Sequence, residues 1–179
     1  LLRAAFETAE AKNNVPGFSI LLRALRRGAQ DSPAKKPLFF VSASPPQMER
    51  RLLEKMELDG IEHEGIIFKN QLQYVKSAKF RKLREHIGYK LEALLRLWKE
   101  LPKKSKLVFF GDDSESDAVV YSLFIEILAA HIEGAQLTDI LSHLGVFREE
   151  ALGVTWITRK IERPCSPVQA VFINLATGS

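Results

Sequence analysis

The chain contains one cysteine, Cys165, so no intrachain disulfide can form, and a reducing compartment such as the cytoplasm is the simplest setting. Cys165 sits in the loop-like stretch RPCSP without an activating partner in sequence, which argues against a reactive thiol. Long apolar runs are also lacking. The most apolar stretch, AVVYSLFIEILAAHI, is broken by Glu126 and is too short to span a bilayer. No signal-peptide pattern stands at the start, where Arg3 and Glu7 interrupt the apolar residues. The four histidines (His63, His86, His131 and His143) are scattered without metal-ligand spacing, which excludes a zinc site built on them. There is no internal repeat, no low-complexity tract and no nucleic-acid recognition motif, so no nucleic-acid partner is expected.

What remains is an ordinary globular composition. Of 179 residues, 46% are hydrophobic and 27% charged, enough for one domain with a real core. The net charge of +4 favours anionic partners without identifying one. The opening residues, LLRAAFETAEAK, already read as the middle of an amphipathic helix through Leu2, Ala5, Phe6 and Ala9, which points to a further segment upstream.

Along the chain, short apolar runs alternate with helical periodicity. FSILLRALRRG spaces Phe18, Leu21, Leu22 and Leu25 as a helix face, with Gly28 as its C-terminal cap. LFFV (38–41) reads as a buried parallel strand, QMERRLLEKMEL as a helix and GIIF (65–68) as another strand. GYKLEALLRLWKEL is the strongest helix signal, through Leu91, Leu94, Leu95, Trp98 and Leu101. It leads into LVFF (107–110), an acidic stretch and a helix from Asp117, with helical character to about residue 144. VTWIT (154–158) and VQAVFINL (168–175) read as strands, and Trp98 and Trp156 as core residues. Strands alternating with helices predict an α/β fold with a Rossmann-like, doubly wound, mainly parallel sheet, whose ligand sites lie beyond the carboxyl ends of the strands.

Two strands end in polar clusters. After LVFF come Asp112, Asp113, Glu115 and Asp117, carboxylates whose mutual repulsion a hard cation such as Mg²⁺ would relieve. Gly111 lets the backbone turn there. The same acids also suit the cap and first turn of the next helix. After LFFV, Ser42 and Ser44 are either turn residues or phosphate donors. Lys90, read as belonging to the first turn of its helix, is misplaced with respect to the helix dipole unless it meets an anion.

Taken in order, strand–Ser–helix, Lys, then strand–GDD–xxx–D resembles the haloacid dehalogenase (HAD) superfamily of phosphatases. The wording of VPGFSILLRALRRG, PLFFVSASPPQMERRLLEKM, GYKLEALLRLWKELP and LVFFGDDSESDAVVYSLF is similar to the catalytic domain of the actin-patch phosphatidate phosphatase family over about residues 1–125. The resemblance implies a HAD-like domain without a large cap, with 69–88 and 126–150 as the candidate cap insertions. It implies hydrolysis of a phosphorylated small molecule or lipid phosphate with Mg²⁺ as cofactor. It implies that Ser42 hydrogen-bonds the transferring phosphoryl group, with Ser44 the second choice. Lys90 would neutralise phosphoryl charge, with Lys69 the runner-up. Asp112 would ligate the metal, and Asp117 would hold it directly or through water.

The family's first motif, Asp-x-Asp after an apolar strand, does not occur in these residues. The resemblance places it upstream, and the chain alone is expected to be inactive. The competing expectation is a non-catalytic phosphate- or phospholipid-binding module on the same fold. Its basic stretch KSAKFRKLREHIGYK, with Lys76, Lys79, Arg81, Lys82 and Arg84, would offer a peripheral membrane contact.

Overall fold

The computed structural model describes residues 17–28, 34–42, 44, 46–68, 85–113, 116–163 and 167–175. The predicted helix at the N-terminus, Cys165, Glu115, Lys69 and the basic stretch up to Arg84 lie outside the described residues. The chain divides into two compact units, Leu1–Val75 and Lys76–Ser179.

In the first unit, α1 (Phe18–Arg27) is followed by β1 (Phe39–Ser42), a short 3₁₀ turn (Pro46–Met48), α2 (Glu49–Leu58) and β2 (Gly65–Phe68). Gly28 ends α1 as expected: at φ 68° its N–H donates to the carbonyls of Ala24 and Leu25. β1 and β2 pair in parallel from Phe39↔Gly65 to Ser42↔Phe68, so β1–α2–β2 is a βαβ unit. Glu64, just before β2, stitches the unit together. Its Oε2 accepts hydrogen bonds from Arg26 Nη1 at 2.7 Å and from the Leu38 N–H at 2.5 Å.

The second unit contains α3 (Glu85–Glu100), β3 (Leu107–Asp112), α4 (Asp117–Leu128), α5 (Gly134–His143), α6 (Arg148–Thr158) and β4 (Val168–Asn174). β3 and β4 pair in parallel, with a register shift at Leu107/Val108, although three helices separate them in sequence. The core collects the predicted stripe of α3 (Leu91, Leu94, Leu95, Trp98), one face of α4 (Val120, Phe124, Ile127) and Leu137 and Leu141 of α5. Residues 126–150, one of the two candidate cap insertions, thus pack into this core through α5. The fold is mixed α/β with parallel strand pairs, as the alternation of runs predicts.

The stretch 154–158 corrects the strand expectation: it is the last part of α6. Its β-branched and aromatic composition favours a strand, but burial overrides propensity. Glu150, Ala151, Val154, Ile157 and Thr158 are buried at helical spacing. Thr155 and Thr158 satisfy their hydroxyls within the helix, donating to the Ala151 carbonyl at 2.9 Å and the Thr155 carbonyl at 2.8 Å.

α3 and α6 run side by side in the same direction. A Cβ on Gly88 would stand 2.6 Å from Val146 Cγ1, just before α6, and 2.5 Å from Glu150 Oε2. One on Gly153 would stand 3.4 Å from Glu92 Oε2, and Trp98 Nε1 donates to the Glu162 carbonyl at 3.1 Å. Glycine at 88 is therefore what lets α3 seat against α6 just before Lys90.

Candidate active site

β3 is held by aromatic contacts on alternate sides, as strand geometry dictates. Phe109 stacks on Tyr121 of α4 at 4.5 Å and meets Phe124 edge-on at 5.4 Å, while Phe110 stacks on Phe172 of β4 at 5.0 Å. The Tyr121 hydroxyl donates to the Phe110 carbonyl at 2.8 Å and so ties α4 to the strand one residue before Gly111.

Gly111 then permits a close approach. A Cβ at this position would lie 2.6 Å from Asp117 Cβ and 2.7 Å from Asp117 Oδ2, distances no side chain tolerates. The approach brings the Asp117 carboxylate under the strand end, where Oδ2 accepts the Asp112 N–H at 3.2 Å. Oδ1 accepts Lys90 Nζ at 2.5 Å. Lys90 and Asp117 are both buried, with side chains 7% and 12% exposed. Asp117 is the first residue of α4, where a carboxylate complements the helix dipole.

Lys90 departs from expectation in one respect. Because α3 begins at Glu85, it stands in the second turn rather than the first. Its ion pair with Asp117, not the helix end, accounts for its burial. Tyr89 beside it is half-buried, and burial pushes its hydroxyl well above the usual phenol range, so it stays protonated at neutral pH.

The structure therefore joins Lys90, Asp112 and Asp117 from three elements of the second unit. Ser42 and Ser44 form their own pair in the first unit: Ser42 Oγ, at the end of β1, accepts the Ser44 N–H at 3.2 Å, the turn role open to it from sequence. Asp113 is exposed and continues the ladder, donating its N–H to the Asn174 carbonyl at 3.1 Å. Ser116 escaped the sequence reading. It precedes α4 but makes no side-chain cap, and its buried Oγ has no hydrogen-bond partner among the described residues. A serine before an acidic helix start reads as a cap, so no sequence signal could mark it otherwise.

The donors present fit a hard divalent cation. Among the described residues no group of three or more His, Cys, Asp or Glu side chains forms a protein cage. Mg²⁺ does not need one, since it commonly takes one or two carboxylates and completes its shell with water and phosphate oxygens. Asp112 offers a carboxylate at the strand end, and Ser116, four residues on and next to Asp117, has a buried hydroxyl without a partner among the described residues. Each Asp117 oxygen already accepts one hydrogen bond but retains a second lone pair, which suits contact through water.

Comparison with known protein families matches residues 1–137 to the one described as phosphatidate phosphatase APP1, catalytic domain, a span that includes Ser42, Lys90, Asp112 and Asp117. Neither the curated proteins nor the solved structures give a match. Since the family match covers most of the chain and contains the buried Lys90–Asp117 pair at the end of β3, the chain belongs to the phosphatidate phosphatase APP1 catalytic-domain family, which implies a phosphatase with a lipid phosphate as its class of substrate.

Proposed function

We propose that the chain forms part of a Mg²⁺-dependent phosphomonoester hydrolase of HAD type, acting on a phosphatidate-like lipid phosphate through an aspartyl-phosphate. The observation that carries the reading is the buried Lys90–Asp117 pair, bonded in turn to the backbone of Asp112. An ammonium buried at a strand end is fixed in place to face phosphoryl charge, and preorganised charge of this kind supplies most of the catalysis in phosphoryl transfer.

The roles divide as follows. Asp112 would hold the metal, with Asp117 behind it through water. Mg²⁺, when bound, supplies charge neutralisation at the phosphoryl oxygens. Lys90 balances negative charge on the transferring group, and Asp117 orients Lys90. The family resemblance is what supports a phosphoryl-binding hydroxyl on Ser42, with Ser44 as the alternative. The nucleophile is an aspartate that these 179 residues do not contain, since no Asp-x-Asp follows a strand in them. The same absence is what favours the second reading, a phospholipid-binding module without turnover.

The test is phosphate release from phosphatidate by the full-length protein, with and without Mg²⁺, beside Asp112→Asn. Mg²⁺-dependent release that falls by at least about a hundredfold in the variant is expected, the scale of losing a principal electrostatic group. Release that is unchanged in Asp112→Asn would overturn the metal assignment. Phosphatidate binding without release would establish the second reading.

A further inference from the structure

α6 begins after the stretch matched by the family, and one side of it is unaccounted for by the site. It buries Glu150, Ala151, Val154 and Ile157 and leaves Leu152 51% and Trp156 53% exposed. Residues four apart on a helix are neighbours, so the two form one apolar stripe. The exposure of Trp156 overturns the sequence expectation of a core residue, which Trp98 fulfils at 5% exposure.

Cations frame the stripe. Lys160 Nζ stands 3.5 Å from the centroid of the Trp156 ring, Arg159 is exposed beside it, and Arg148 is exposed at the helix start. The one acid that α6 exposes is Glu149. An exposed indole, a neighbouring leucine and flanking cations form the pattern of a helix that lies in the headgroup layer of an anionic bilayer. The exposed apolar residues of the β3–β4 pair lack this feature, for neither strand contains a lysine or arginine.

We propose that α6 is a membrane-docking helix: Leu152 and Trp156 enter the headgroup layer, and Arg148, Arg159 and Lys160 pair with anionic lipid headgroups. The proposal rests on the lipid-phosphate reading of the active site and adds the source of the substrate, a bilayer rather than free solution. It also gives the α3–α6 packing a purpose. The opposite side of α6 seats against Gly88, two residues before Lys90, so docking sets the lysine's helix one layer from the lipid.

The experiment uses the intact protein with phosphatidylcholine vesicles, either pure or carrying phosphatidylserine, which offers anionic charge without the substrate headgroup. Trp98 is buried and gives a constant background, so the change in tryptophan emission that disappears in Trp156→Phe reports Trp156. A blue shift with shielding from an aqueous quencher is expected only with the anionic vesicles. Vesicle binding should weaken roughly tenfold in Trp156→Ala, as for loss of a buried aromatic anchor, and roughly fivefold in each of Arg159→Ala and Lys160→Ala. Hydrolysis of a water-soluble phosphomonoester should be unchanged in all three. Absence of the blue shift, or vesicle binding indifferent to Trp156→Ala, overturns the proposal, as does lipid-free shielding of Trp156 that grows with protein concentration, which would assign the stripe to a second copy. Lipid binding that depends on Trp156 in a protein without phosphatase activity would sustain docking and sink the active-site reading. Soluble turnover with no lipid response would do the reverse.

Discussion

Lys90 on α3 and Asp117 on α4 meet at 2.5 Å with almost no exposure to solvent. Each is the other's compensation for leaving water. Removing one partner leaves an uncompensated buried charge, which costs far more than the pair itself contributes. Lys90→Met and Asp117→Asn should therefore each lower stability by about 3 kcal/mol in urea unfolding. The double variant should be less destabilised than the sum by at least ~1 kcal/mol. Additive effects would show that the two side chains are not coupled.

Gly111 is the second requirement, because Asp117 occupies the place where a Cβ would be. Gly111→Ala should cost roughly 1–3 kcal/mol through overpacking. It should also reduce phosphatase activity of the full-length protein along with Lys90→Met, because it displaces the same carboxylate. Gly153→Ala is the contrast. Its Cβ would meet only the end of Glu92 at 3.4 Å, and its helix-interior position favours alanine by roughly 0.5–1 kcal/mol. Thermal melts that lower both variants equally would refute this account of Gly111.

Which parts of this were legible in the sequence follows from what periodicity encodes. The stripe of α3 was readable because burial on one face repeats at 3.6 residues, and the apolar run of β3 marked a strand although its residues are only part-buried, with Val108 44% exposed. Lys90, Asp112 and Asp117 could be placed at or near element ends for that reason. Their meeting could not be read, because it depends on Gly111 and on the packing of α3 against α4. The parallel pairing of β3 with β4 was equally hidden, since no local pattern links strands separated by three helices. VTWIT misled because its composition favours strands, while its partners α3 and α5 impose a helix. Trp156 misled because size predicts burial on average, and exposure of one indole is a tertiary fact.

Tyr121 provides a subtler test of how the site is held. Its ring stacks on Phe109 and its hydroxyl donates to the Phe110 carbonyl, so Tyr121→Phe removes the hydrogen bond and keeps the stack. A loss of about 1 kcal/mol is expected in urea unfolding. Tyr121→Ala should cost about 3 kcal/mol or more, since it also opens a cavity against Phe109. Equal losses in the two variants would mean that the ring, and not the hydroxyl, does nothing for stability.

In the first unit, acid should act through Glu64. The Arg26 guanidinium holds its carboxyl below the ordinary value of 4.5; partial burial opposes this, and the Leu38 N–H adds to the lowering. A carboxyl depressed in the folded state binds fewer protons there than when unfolded. Its contribution is therefore complete above the unfolded value and is lost as pH falls through the folded one. Glu62 is lowered too, chiefly by Lys35, but at 59% exposure it should matter little. Because Glu64 is itself 37% exposed, its pairing should be worth only about 1 kcal/mol. Melting temperatures followed by circular dichroism should drop between neutral pH and about pH 3. Glu64→Gln should start lower at neutral pH and decline less steeply in acid. A Glu64→Gln profile parallel to that of the native chain would rule out the Arg26–Glu64 pair as a source of acid sensitivity.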